Sequence, residues 1–221
     1  MADLIIKPAS SNDSLKFQGS DGSAKMTIAG TTATLDNVTI SGNASVAGSS
    51  MVMIKSETAP TTGAWDIEDC FSPATYDVHK IVMTDITIST PTAVYMRLIK
   101  TDGTVESSSK YTWGMGGSRA GGVSYVLGNA SFEAAWKLCS DQEGLHNPMC
   151  CVLYMNGLNN SNVNKTFHGT LVSYSDSNGL LTLTVSGRID LTSESYDGIR
   201  LYITSGNIDG GRITTYGIKH S

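Results

Sequence analysis

Two-residue alternation over residues 180–219 constrains this chain more than anything else in it. In LLTLTVSG, Leu181, Leu183 and Val185 point one way while Thr182, Thr184 and Ser186 point the other. In GIRLYITSG, Ile199, Leu201 and Ile203 alternate with Arg200, Tyr202 and Thr204, and GRITTYGIK follows. A period of two sets one face on a core and the other in water, as in half-buried antiparallel strands. Ser205-Gly206-Asn207 and Asp209-Gly210-Gly211 supply the positive-φ residues that tight connections need. The C-terminal region therefore reads as a sheet tail whose last strand closes the sheet.

Composition extends this expectation to the whole chain. Only 16% of the 221 residues are charged, and Thr, Val, Ile and Tyr are plentiful, which favours an all-β protein. The length allows one or two domains and a real core. A net charge of −5 without a basic cluster gives no electrostatic reason to expect nucleic-acid binding. No basic-then-apolar leader and no apolar run long enough to span a bilayer is seen, so no membrane partner is expected and the chain is expected to be soluble and made in the cytoplasm.

Residues 1–48 are a different material. LIIKPA, SLKFQG, AKMTIAG and ATLDNVTISG are short strand-like runs whose apolar residues are Leu4, Ile5, Ile6, Leu15, Phe17, Met26, Ile28, Leu35, Val38 and Ile40. Phe17 is the one aromatic, so the segment has little bulk with which to close a core of its own. Strands in that position bury their apolar face on symmetry mates or on another protein. The expectation is an assembly arm over 1–48, ending in the Gly/Ser/Ala-rich linker 41–50, followed by a β-sandwich head over 49–221. An extra sheet folded on the head is the competing reading.

Within the head, MVMIKSE, HKIVMTDITIS, TAVYMRLIK, VSYVLG, NPMCCVLYMNG and FHGTLVSYSD read as strands. In HKIVMTDITIS the alternation places Ile81, Met83, Asp85 and Thr87 on one face and Val82, Thr84, Ile86 and Ile88 on the other. Asp102-Gly103 and Ser177-Asn178-Gly179 are hairpin signals. SFEAAWKLCSDQ, residues 131–142, is the one helix expectation, with Ser131 as cap and Phe132, Ala135, Trp136 and Cys139 at helical spacing. GMGGSRAGG, residues 114–122, lacks the Lys-Ser/Thr pair and following helix of a phosphate loop and reads as a surface loop. GLNNSNVNKTFHG reads as a second, polar loop.

Chemistry is sparse. His79, His146, His168 and His220 are scattered, and Cys70, Cys139, Cys150 and Cys151 do not have zinc or disulfide spacing, so neither metal nor cofactor is expected. Cys150 and Cys151, being adjacent on a strand, should face opposite ways. Glu68 with Asp69, Glu133 with Asp141 and Asp190 with Glu194 are acid pairs that a hydrolase would have to bring across a cleft, and no nucleophile elbow is present. The expectation is a non-enzyme.

Three stretches resemble a known group. GIRLYITSGNIDGGRITTYGIKHS is similar to the C-terminal signature of β-sandwich proteins of tailed-bacteriophage virions, marine phages especially. WDIEDCFSPATYDVHKIVMTDI resembles the run into their first core strand, and MADLIIKPASSND resembles the start of many phage fibre and head-decoration proteins. The resemblance implies a jelly-roll-like sandwich, a homotrimer, contact with a major capsid protein or tail proteins, and a place on the virion surface. A capsid decoration or head fibre fits the short arm better than a long tail fibre does. Loops 114–122 and 156–166 would face outward, with Trp113, Arg119, Asn159, Asn160 and Asn164 as candidates for contact with a cell-surface glycan. The competing class is a lectin-like recognition module. Two exposed tryptophans on one face would favour recognition, whereas burial of Trp65, Trp113 and Trp136 together would favour assembly.

Overall fold

The computed structural model describes residues 51–119, 123–139, 148–159, 162–175, 179–190 and 193–219. The arm residues from Leu4 to Ile40 and the linker lie outside the described residues. Twelve strands follow in order: β1 (Met51–Thr58), β2 (Ala64–Ile67), β3 (Val78–Ile88), β4 (Val94–Lys100), β5 (Tyr111–Arg119), β6 (Val123–Glu133), β7 (Trp136–Cys139), β8 (Met149–Asn156), β9 (Lys165–Ser175), β10 (Gly179–Ile189), β11 (Tyr196–Ile203) and β12 (Ile208–Ile218). They form a sandwich of an eight-stranded sheet, β1-β12-β3-β8-β9-β10-β5-β6, and a four-stranded sheet, β2-β11-β4-β7. Every pairing is antiparallel.

The pairing has a simple logic. β1 pairs with β12, β2 with β11, β3 with β8, and β4 with β7. First meets last, second meets second-to-last, and so on, as when one long hairpin is rolled up on itself; this is a jelly-roll-like wrap. The two remaining hairpins, β5–β6 and β9–β10, are insertions into that wrap. Both add to the same side of the long sheet, beyond β8, so the long sheet outgrows its partner there.

Alternation puts the core where the C-terminal pattern places it. Leu181, Leu183 and Val185 of β10 and Ile199, Leu201 and Ile203 of β11 are buried, while Thr182, Thr184 and Ser186 are exposed. These strands are not neighbours, however. β11 lies in the short sheet and β12 is flanked by β1 and β3, so the last strand fills the middle of a sheet instead of closing its edge. Ser177-Asn178-Gly179 does precede a true hairpin partner, for β9 and β10 pair in continuous register from Gly179–Ser175 to Ile189–Lys165. Cys150 is exposed and Cys151 buried, as adjacency on β8 requires.

Three local expectations give way. Over Ser131–Cys139 the expected helix is replaced by the end of β6, a bend at Ala134–Ala135 and β7, residues 140–142 lying outside the described residues, and no helix occurs among those described. Trp136 and Leu138 are buried with Lys137 between them, a period of two that the helical stripe passed over, and β4 supplies the backbone partners. Residues Gly114–Arg119 are not a loop but most of β5, paired on both sides by β10 and β6. A Cβ at Gly117 would run into the Thr182 carbonyl, so this glycine serves close strand approach and not loop freedom. In β3 the face switches midway. Asp85 sits at φ 53°, a bulge that breaks register between Met83 and Ile86, so Ile81, Met83, Ile86 and Ile88 are all buried. The polar loop is also shorter than its sequence suggests, since Lys165–His168 already belong to β9.

Candidate functional site

The overhang of the long sheet creates a step, and the step holds a chemically varied cleft. It is a cavity of about 250 Å3 lined by Tyr95, Trp113, Glu133, Ala134, Ala135, Lys137 and Tyr202. Tyr95 of β4 and Tyr202 of β11 are register partners, and Lys137 of β7 pairs with Tyr95 on its other side. All three occupy the outward positions of the short sheet, since Val94, Met96, Leu201 and Ile203 point inward. Trp113 and Glu133 come from the inserted β5–β6 hairpin, where the long sheet extends past β7.

The two tyrosines are stacked, ring centroids 5.3 Å apart and 21° between planes. Arg97 lies over Tyr202 at 4.7 Å and Lys137 over Tyr95 at 5.8 Å, so each end of the stack carries a cation. Arg97 Nε donates to the Ala134 carbonyl at 2.9 Å, which ties β4 to the bend before β7. Arg200, one step along β11, is held instead by Asp66, to which Nε and an Nη donate at 2.5 and 2.6 Å. Burial, first among the causes, raises the Tyr202 phenol above its usual range despite the opposing charge of Arg97, so it stays protonated at neutral pH. Trp113 is half-buried, packed against the core and running alongside Gly128. Phe132, next in sequence to Glu133, is 70% exposed and sits at φ 61°, an unusual backbone for an aromatic residue. What the cleft offers is one apolar wall, a rigid aromatic fin with cations beside it, and a carboxylate.

The residues singled out from sequence are not gathered in one place. Trp113 lines the step cleft. Arg119 is the last residue of β5, and nothing is described of its side chain. Asn159 is exposed, accepts a hydrogen bond from Ser195 Oγ at 2.8 Å, and lines a different cavity of about 530 Å3 with Pro73, Tyr76 and Asp77. Asn164 is partly exposed ahead of β9, and Asn160 lies outside the described residues. Trp65 and Trp136 are buried, so the three tryptophans meet neither criterion set for them. Tyr95, Tyr202, Lys137 and Arg97 were not singled out. The available signal was the pair of strand patterns Tyr-x-Arg in VYMRL and Arg-x-Tyr in IRLYI, which put both residue types on the solvent side of two strands.

A second polar cluster is internal. Glu106 is buried and receives Ser108 N–H at 3.0 Å, with the Tyr196 hydroxyl 3.3 Å from its other oxygen. Lys100 lies 3.7 Å from Glu106 and 3.4 Å from Glu194. The Tyr111 hydroxyl accepts from Leu98 N–H and donates to the Glu106 carbonyl, so the cluster latches the segment after β4 onto the core. Of the acid pairs weighed, Asp190 is engaged by Arg188 at 3.2 Å and Glu194 by Lys100, while Glu68 and Asp69 are exposed and Asp141 lies outside the described residues. No group of three or more metal-ligating side chains occurs among the described residues. No helix there is long and apolar enough to cross a membrane. Compared with known proteins, the chain matches no family model, no curated protein and no solved structure.

Proposed function

We propose that this chain is a structural protein of a tailed-phage particle, a homotrimeric capsid decoration or head fibre that docks through residues 1–48 and projects its jelly-roll-like head. One observation carries the reading. At one end of β1, β12, β3 and β8 the outer face is less polar than a water-exposed antiparallel sheet normally is, while further along it turns polar at Ser56, Thr58, Thr84, Arg212 and Thr214. Met53, Tyr216, Lys80 and Tyr154 form one outward row, and Met51, Ile218, Val78 and Asn156 form the next. Met51 and Met53 are 42% and 60% exposed, and Lys80 is the one charge in these two rows. At the far end of the same sheet the outward residues of β10 include Thr182, Thr184 and Ser186, with Leu180 and, on β9, Val172 as exposed apolar side chains. The contiguous rows of Met51, Met53, Tyr216, Tyr154, Ile218 and Val78 fit burial against another protein. The occupant we assign to it is further copies of this chain, in keeping with the proposed trimer.

Native mass measurement of the full chain should give three chains. Met53→Glu together with Tyr216→Glu should shift the population to monomers while far-ultraviolet dichroism stays that of a β protein. A monomeric wild type sinks the trimer, and a trimer indifferent to both changes sinks this face as its seam. Immunogold labelling of purified particles should decorate the capsid; label at the tail tip would favour a tail fibre instead. That second reading, a receptor-binding head, is favoured by the step cleft.

A further inference from the structure

We infer that the step cleft binds a single hexopyranose residue of a surface glycan, an assignment that rests on the receptor-binding reading above. The argument is one of which surfaces remain free to meet a ligand. The Tyr95 and Tyr202 rings are stacked on each other and carry Lys137 and Arg97 at the ends of the stack, so their faces are already occupied. Side chains stand away from a sheet, so these rings offer the cleft their edges and hydroxyl ends. The indole of Trp113 is the apolar wall, and Glu133 adds a carboxylate from the inserted hairpin.

A flat aromatic ligand such as a base gains most from a π surface on each side, and this cleft supplies one at most. A pyranose has the matching asymmetry. One face presents C–H groups to an indole, and its rim of hydroxyls can donate to a carboxylate and accept from an ammonium or phenol. The volume of about 250 Å3 sits below the range of sites for drug-sized ligands, which suits one ring and not an extended oligomer. The sites of the cleft come from both sheets, since β4, β7 and β11 supply the fin and the β5–β6 hairpin supplies the wall. A single ring in an open cleft binds weakly, with Kd on the order of 1 mM, and three such sites on one trimer would bind a cell surface by avidity.

Trp65 and Trp136 are buried, so a change in intrinsic fluorescence reports on Trp113. The full-length protein is titrated with methyl β-galactopyranoside, methyl β-glucopyranoside and methyl α-mannopyranoside, followed by fluorescence and by saturation-transfer NMR, and it is applied in parallel to an array of intact glycans. Binding of at least one probe is expected. Trp113→Ala should weaken it at least tenfold, and the exposed change Glu133→Ala several-fold without altering the urea midpoint. If a probe binds the wild type and both variants equally, the cleft assignment is overturned and the receptor-binding reading stands. If no probe binds but the array lights up, the single-ring assignment fails alone. A silent array with silent probes removes both.

Discussion

At the scale of single residues, His79 ties stability to pH. It opens the buried face of β3, edge-on to Phe71 at 5.1 Å and to Tyr76 at 6.1 Å, and its Nε2 accepts Ser72 N–H at 3.1 Å. The ring must then carry its proton on Nδ1, which finds no partner among the described residues. Burial pushes the imidazole down to about 4, with the Asp77 carboxylate pulling the other way. Because the folded value lies below the unfolded one, the unfolded chain binds the extra proton between the two. The contribution is fully present above the unfolded value near 6.5 and is lost as pH falls toward 4. It amounts to up to about 3 kcal/mol. Urea midpoints measured at successive pH values should be level near neutrality and fall through the mildly acidic range. His79→Gln keeps an acceptor for Ser72 without a titrating ring, so its midpoint should be lower at neutral pH but lack that acid limb. A wild-type midpoint that ignores pH over this interval would exclude the coupling.

At the scale of elements, the tightest joint is between the sheets. Trp136 of β7 packs on Phe167 of β9 at 4.7 Å and on Tyr111 of β5 at 5.0 Å, and its Nε1 donates to the Arg188 carbonyl at 3.0 Å. Gly187 makes room for it, because a Cβ there would lie 2.4 Å from Phe167 and 2.7 Å from Trp136. Gly187→Ala should therefore cost about 1–3 kcal/mol, read as a lower urea midpoint with an unchanged slope. The same elements mark how much was legible in advance. Strands with unbroken alternation, β10 and β11 above all, declared their faces in sequence, and so did the β9–β10 turn. β3 did not, because a bulge at Asp85 inverts the alternation and an Asp tolerates that backbone without announcing it. β7 was hidden because four residues are too few for a period of two to outweigh a coincidental helical stripe. β5 was hidden by its glycines, whose usual meaning is a loop. The cleft was half legible: Trp113 stood out as an aromatic beside glycines, but Tyr95, Lys137 and Tyr202 meet only through pairings between strands far apart in the chain.

At the scale of the whole molecule, the wrap makes the chain depend on its end. β12 is hydrogen-bonded to β1 on one side and β3 on the other, so it joins the first and third strands of the head. Contacts of that span close late and slowly in folding. Removing residues 208–221 should therefore abolish the cooperative urea transition and leave a compact, dye-binding state, where loss of an edge strand would only lower the midpoint. Cooperative unfolding of the shortened chain would show that β12 is dispensable.

The two inserted hairpins have a corollary for where the molecule tolerates change. Both lie at one margin of the long sheet, opposite the end where β1 and β12 pair. Beyond the joint that Trp136 makes with Tyr111, Phe167 and Gly187, solvent-facing changes on these hairpins leave the pairing of β12 with β1 and β3, on which the wrap closes, undisturbed.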